Sequence, residues 1–142
     1  MLSNYDIETI DCLIEGERWV YVAYLCQQAM ERQLKGMFVY YNDAESPKTH
    51  NLNFLFTKVT TSQKFLESVD QESFDLRREE IEDFLVDLMF YYMSDYPFSY
   101  RNIMNRFVKE EIALDLFQKT LMAINWLRGF QPEVDVPHIE LK

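Results

Sequence analysis

Apolar residues recur every three or four positions along two long stretches of this chain, a period typical of amphipathic helices. The first stretch covers residues 17–41 and its apolar positions are Trp19, Ala23, Cys26, Met30, Leu34, Phe38 and Tyr41. The second covers residues 105–129, with Ile112, Leu116, Leu121, Ile124 and Leu127. Gly129 follows as a helix stop. The pattern predicts one long helix early in the chain and one late.

The intervening residues predict shorter helices and two loops. Helices are expected over 5–15, with Ser3 as its cap, and over 50–59, and a third long helix over 74–93. The stretch 60–73 is less regular, with a helical turn near 64–69. Loops are predicted at 42–49, where the residue before Pro47 disfavours a helix, and at 94–104.

These elements add up to a single all-α domain. With 142 residues, 48% of them hydrophobic, and only three glycines and four prolines, the chain can bury a sizeable core. We expect an antiparallel up-and-down bundle of four to five helices over residues 1–130. The remaining residues, 131–142, carry two prolines and are expected to form an extended tail.

Composition narrows the possible functions. A net charge of −10 repels a phosphate polymer, so non-specific coating of nucleic acid is not expected. The apolar runs are too short to span a membrane, and the acidic start is unlike a signal peptide, so a cytoplasmic location is predicted. Cys12 and Cys26 are expected to be reduced thiols. Neither a metal site nor a cofactor is expected, because His50 and His138 are the only histidines and metal-ligand spacings are missing.

A polar set interrupts the early long helix on the side away from its apolar stripe. This set consists of Gln27, Gln28, Glu31 and Lys35, in which Glu31 and Lys35 form a favourable i,i+4 pair. Three interpretations are open: the residues contact a ligand, line a dimer interface, or form a solvated face. We take Gln27, Gln28 and Glu31 as candidate interface residues.

Cationic and aromatic residues near the last helix are candidates for binding a nucleotide. Arg101, Arg106 and Lys109 lie close to its predicted start, where the helix dipole favours anions. Together with Lys35, Lys48 and His50 they form the candidate phosphate-binding set. Tyr96 and Tyr100 are candidates for stacking on a base. The alternatives are a solvated positive patch, a structural histidine at a helix start, and tyrosines that close the bundle end.

Three segments in this order resemble the HEPN family of small helical bundles, over roughly residues 15–130. The segment YLCQQAMERQLKGMF is similar to the family's second-helix pattern, and PKTHNLNFL resembles its Pro-Lys-Thr-His-Asp-Leu turn with Asn51 at the aspartate position. YYMSDYP stands where members carry Arg-Tyr-Pro-Asp, with Asp95 at the arginine position and Phe98 at the aspartate one. The resemblance implies a helical bundle associated with nucleotides, RNA or nucleotidyltransferase partners.

The sequence departs from the HEPN ribonucleases at one position of chemical importance. In those enzymes we expect an arginine at the start of the last helix that is separated from a histidine by four to six intervening residues. After Arg101 the corresponding positions hold Arg106, Phe107 and Val108. Neither arginine nor phenylalanine can exchange a proton near neutral pH as histidine does, so no residue is assigned as catalytic.

The resemblance and this departure favour a non-catalytic, nucleotide-associated module. Such a module is expected to form a homodimer and to act as the partner of a small nucleotidyltransferase. The first alternative is a metal-independent ribonuclease toxin of the HEPN type, which uses Arg101 with another proton carrier. The second is a helical protein-interaction scaffold that has no nucleotide ligand.

Overall fold

A computed structural model describes residues 2–94 and 109–131, with side chains from Tyr5 to Tyr92 and from Lys109 to Gln131. The described residues form helices and loops and contain no strand. The helices are α1 (Leu2–Glu15), α2 (Trp19–Asn42), α3 (Leu52–Thr60), α4 (Gln63–Ser68), α5 (Gln71–Ser94) and α6 (Glu110–Arg128). The predicted all-α bundle is confirmed. In the described ranges, no helix is both long enough and apolar enough to span a membrane.

Helix α2 is the centre of the bundle and packs against each of α1, α3, α4, α5 and α6. Ala23, Cys26, Met30 and Leu34 of its apolar stripe are fully buried, whereas Trp19 and Phe38 are half-buried. Because neighbours cover more than one side of this helix, the polar side next to the stripe is also removed from water. Gln27, Glu31 and Gln33 are buried for this reason.

The first and last helices begin at residues other than those predicted. Helix α1 starts at Leu2, so Ser3 lies inside the helix and the predicted Ser3 cap is wrong. Helix α6 begins at Glu110, because Lys109 has an extended backbone and is the residue that precedes the helix. The predicted start at residue 105 is therefore too early. Glu110 and Glu111 place negative charge in the first turn, where the helix dipole favours it.

The short helix α4 is the fourth of six helices in the described ranges, and it lies where a helical turn at 64–69 was predicted. The Ser62 hydroxyl accepts a hydrogen bond from the Phe65 backbone N–H at 3.3 Å and caps this helix. Phe65 is fully buried, so tertiary packing stabilises a helix that is too short to form by itself.

An aromatic cluster joins four helices at one end of the bundle. Phe74 of α5 stacks on Trp126 of α6 with ring centroids 5.5 Å apart, and it lies edge-on to Phe65 of α4 at 5.1 Å. Phe56 of α3 and Phe130, which follows α6, complete the set around Phe74 at 6.1 and 5.8 Å. Such ring pairs contribute about 0.5–1.5 kcal/mol each beyond the area that they bury.

The two thiols differ in burial, which gives a direct test of this packing. Cys26 on α2 is fully buried, and burial raises the pKa of its thiol to about 12, whereas Cys12 on α1 is exposed. Because the thiolate is the reactive form, we expect maleimide at pH 7 to label Cys12 in the native protein and to label Cys26 only after unfolding. Intact-mass spectrometry should show one adduct in buffer and two in denaturant. Two adducts in buffer would contradict the packing of α2.

Candidate ligand site around Glu31 and His50

The carboxylate of Glu31 is the centre of a buried polar network. Its side chain is 8% exposed and accepts hydrogen bonds from three donors. The Lys35 ammonium donates to Oε2 at 2.8 Å, and the Gln27 amide donates to Oε1 at 3.1 Å. His50 Nδ1 lies 2.7 Å from the same Oε1. These contacts compensate a buried carboxylate, which would otherwise be costly.

Gln27 connects this carboxylate to the turn that precedes α3. Its amide nitrogen also lies 3.0 Å from the His50 carbonyl oxygen and 3.8 Å from the Met89 sulfur on α5. The Gln28 amide in turn donates to Gln27 Oε1 at 2.9 Å. Gln27 is fully buried. It therefore joins α2, the turn and α5 at one point, and its orientation is fixed by the groups around it.

The turn that carries His50 is held by its own side chains. Asn51 Oδ1 accepts from the Phe54 backbone N–H at 3.1 Å and caps α3, and Thr49 Oγ1 accepts from the Asn51 N–H at 3.1 Å. Helix α3 consequently begins at Leu52, and His50 precedes it, where the sequence predicted a helix starting at 50. Asparagine caps a helix about as well as aspartate does.

The Glu31 contact determines the state of the His50 ring. Burial raises the pKa of the Glu31 carboxyl, but the hydrogen bonds from Lys35, His50 and Gln27 outweigh it, so the pKa is lowered overall. The ionised carboxylate can only accept, so His50 Nδ1 carries the proton in this contact. The remaining ring nitrogen, Nε2, has no hydrogen bond to any described residue, and the His50 side chain is 62% exposed. It is therefore available to a ligand.

The lowered pKa of Glu31 predicts a pH-dependent contribution to stability. A carboxyl whose pKa is depressed in the folded state contributes stability above its ordinary pKa, about 4.5, and this contribution is lost as the pH falls through the folded value. We expect the wild type to exceed Glu31→Gln in free energy of unfolding by more at pH 7 than at pH 3. Urea titrations at the two pH values measure this. A difference that is equal or larger at pH 3 would contradict the assigned contacts.

Two tyrosines that are not among the predicted site residues lie next to the network. The Tyr92 ring centroid is 6.2 Å from that of His50, and Tyr92 stacks on Tyr24 at 5.3 Å. Tyr92 is buried and Tyr24 is half-buried. The i,i+4 spacing of Gln27, Glu31 and Lys35 indicated a common face in the sequence. No periodicity indicated that residue 92, on another helix, would meet residue 50.

The structure brings five of the predicted site residues together and separates others from them. Gln27, Gln28, Glu31, Lys35 and His50 form one network, as described above. The interpretation of these residues as a solvated face is wrong for Gln27 and Glu31. Both are buried because α3 and α5 pack over this side of α2.

Two predicted cations are exposed outside the network. Lys48 lies two residues before His50, and Lys109 lies at the start of α6. The side chain of neither lysine bonds to a described residue. Tyr96, Tyr100, Arg101 and Arg106 lie outside the described residues. No group of three potential metal ligands occurs in the parts of the chain that the structure describes.

A comparison with protein families identifies the class to which this helical bundle belongs. The HEPN domain family matches residues 3–130, so the chain belongs to the HEPN family. No curated protein and no solved structure matches the chain. Two of the segments that resemble the family, QQAMERQLK on α2 and KTHNL at the start of α3, are the segments that meet through Glu31 and His50.

Proposed function

We propose that this chain is a non-catalytic, cytoplasmic HEPN module that binds the phosphate of a nucleotide beside His50. The proposal rests chiefly on one observation: a single buried carboxylate holds both the Lys35 ammonium and the His50 imidazole in place. Both groups keep hydrogen-bonding capacity that Glu31 does not use, since an ammonium has three donors, and Nε2 of His50, unoccupied by described residues, donates to a phosphate when the ring carries both protons.

Local charge supports an anionic ligand here although the whole chain is acidic. Three donors surround the Glu31 carboxylate, so little of its negative charge is left to repel a phosphate. Lys48 adds an exposed ammonium two residues before His50. A phosphate at this point would meet the Lys35 ammonium and the His50 imidazole, while the net charge of −10 would keep long nucleic acids away.

The experiment that tests this proposal is calorimetric titration with AMP and ATP, with and without magnesium. We expect saturable binding, weakened about tenfold by His50→Ala or Lys48→Ala through loss of a charge-assisted contact. Lys64→Ala is the control, an exposed lysine on α4 that lies over the Tyr40 ring. The affinity of Arg101→Ala for the nucleotide tests whether the predicted cationic cluster of Arg101, Arg106 and Lys109 contributes to binding. Absence of heat at millimolar nucleotide, or equal weakening by the control, would refute the site.

The assembly is a second part of the proposal, and its support is the likeness to the HEPN family. We propose that the chain forms a homodimer and acts with a small nucleotidyltransferase. Light scattering at micromolar concentration should give a dimeric mass, and a monomeric mass would contradict it. A tight dimer that responds to no nucleotide would favour a protein-interaction scaffold.

The contact between Glu31 and His50 also favours one enzymatic candidate, metal-independent RNA cleavage. A carboxylate that holds Nδ1 of a histidine leaves Nε2 free to act as a base. Nε2 would take the proton of a ribose 2′-hydroxyl as the 2′-oxygen bonds to phosphorus. The bond to the 5′-oxygen would break, and that oxygen would take a proton from water, leaving a 2′,3′-cyclic phosphate. The imidazolium then returns its proton to solvent.

This candidate has a separate test. If it holds, RNA is cleaved in the presence of a chelator, and both His50→Gln and Arg101→Ala abolish the cleavage. Cleavage that survives His50→Gln would show a contaminating nuclease or a different base, and either result removes His50 from this role.

A further inference from the structure

A groove between α5 and α6 lies apart from the Glu31 network. Both helices pack on α2 but touch each other at few points, so the space between them is open. One part of this space has a volume of about 560 Å³ and reaches from Phe90 and Tyr91 to Lys119. An adjoining part of about 240 Å³ continues past Phe84 to Arg77 and Met122. The two parts share Phe84, Asp87 and Lys119.

The α5–α6 groove has an apolar floor and exposed apolar side chains at its two ends. Phe84 and Leu116 lie in the floor and are almost fully buried, and Ile112 is half-buried. Phe90 at one end is 53% exposed and Met122 at the other is 39% exposed. Large apolar side chains along a groove, rather than scattered singly, are characteristic of interaction sites.

The rim of the groove is acidic. Glu80 and Asp115 are each paired with a cation of the rim, Arg77 at 3.2 Å and Lys119 at 3.1 Å respectively. Asp83, Asp87 and Glu111 also line the groove, and none of them has an ion pair with a described residue. The rim therefore has three carboxylates that repel one another and remain available to cations from outside.

We propose that the α5–α6 groove is a docking site for a cationic amphipathic helix of a partner protein. From Arg77 to Tyr91 on α5 the groove extends about 21 Å, and from Glu111 to Met122 on α6 about 17 Å, at 1.5 Å per residue. This length fits a helix of about twelve to fourteen residues. Apolar residues on one face of that helix would pack on Phe84, Ile112 and Phe90, and lysines or arginines on its flanks would reach the free carboxylates.

The chemistry of the groove disfavours other occupants. Its walls are helices whose backbone groups are already bonded, so no strand edge is offered to an extended peptide. The acidic rim repels nucleic acids and anionic membrane surfaces. A second copy of this chain carries a net charge of −10, which makes it a poor match for an acidic groove. A basic amphipathic helix would bury the apolar floor and pair with the unpaired carboxylates.

A designed peptide tests the inference without knowledge of the natural partner. The probe is a fluorescein-labelled helix of about fourteen residues with leucines on one face and lysines beside them. Its control replaces the lysines by glutamates. We expect anisotropy to show saturable, micromolar binding of the lysine peptide and no binding of the glutamate peptide. Binding of both peptides, or of neither below millimolar concentration, would overturn the inference.

Matched variants locate the binding. Asp83→Asn with Asp87→Asn should weaken the peptide about tenfold, and Phe90→Ala should weaken it similarly through lost apolar contact. Glu8→Gln with Glu15→Gln removes two exposed charges from α1, and Leu76→Ala removes an exposed apolar side chain of α5 that does not line the groove. Both controls should leave affinity within twofold.

If the groove variants and their controls weaken peptide binding equally, the binding reflects general attraction of a cationic peptide to an acidic protein. That result would overturn the inference. A dimer that dissociates only in Phe90→Ala would assign the groove to a second copy instead, which also overturns the inference. None of these variants touches the Glu31 network, so the outcome is independent of nucleotide binding.

Discussion

Phe74→Ala is expected to lower the free energy of unfolding by about 4 kcal/mol, the largest effect of any single substitution considered. Phe74 is 2% exposed and contacts the rings of Phe56, Phe65, Trp126 and Phe130. Its removal would leave a cavity where α3, α4, α5 and α6 meet beside Phe130. Urea denaturation monitored by circular dichroism measures this loss as a lower midpoint of the unfolding transition, provided that the m-value is unchanged.

Leu76→Ala is the matched control for this substitution. Leu76 lies two residues further along α5 and is 81% exposed. Its truncation should change the free energy of unfolding by less than about 0.5 kcal/mol. A loss below about 1.5 kcal/mol for Phe74→Ala would mean that the aromatic cluster is looser than the ring distances imply.

Glu31→Ala is expected to lower the free energy of unfolding by about 2 kcal/mol and to weaken nucleotide binding about tenfold. The substitution removes the acceptor of three hydrogen bonds, two of them from groups that can carry positive charge. Lys35 and His50 are 24% and 62% exposed and can turn to water, which limits the cost in stability. Without Glu31 the Lys35 and His50 side chains would no longer be held in place. Binding a nucleotide would then have to order both side chains, which lowers the affinity.

Two comparisons make this result specific to the network. Glu8→Ala removes an exposed carboxylate of α1 and should change neither stability nor affinity measurably. Lys35→Ala should weaken binding but cost less stability than Glu31→Ala, since the carboxylate would keep His50 and Gln27. A fully stable Glu31→Ala that binds nucleotide as the wild type does would contradict the role of the carboxylate.

The helical bundle could be predicted from the sequence because its long helices have clear apolar stripes. The period identified α2 and α6 through residues such as Met30, Leu34, Leu121 and Ile124, all of them buried. The errors lie at helix ends. Ser3 fits a cap pattern, yet the helix continues through it, and Lys109 interrupts a helical pattern that the sequence extends to residue 105. A hydrophobic period of 3.6 residues locates a helix but does not fix the residues at which it begins and ends.

The candidate site was predicted in part. The spacing of Glu31 and Lys35 indicated their ion pair, which the structure contains. Burial of Gln27 and Glu31 could not be predicted from α2 alone, because it results from α3 and α5 packing over a side that looks polar in sequence. The contact between His50 and Glu31 joins residues nineteen positions apart through the capped turn before α3. Such a contact depends on how helices are arranged, and local pattern carries no information about it.

The central claim is that Glu31 holds Nδ1 of His50 and leaves Nε2 free for a phosphate. An NMR spectrum that correlates imidazole nitrogens with their ring protons tests it, because the chain has only two histidines, and His50→Gln assigns their signals. The account predicts that the His50 ring is protonated on Nδ1 in the free protein and that AMP shifts its Nε2 resonance in a saturable way. The signals of His138 should remain unchanged and serve as the internal control. A His50 ring protonated only on Nε2, or one whose signals do not respond to millimolar AMP, would contradict the account.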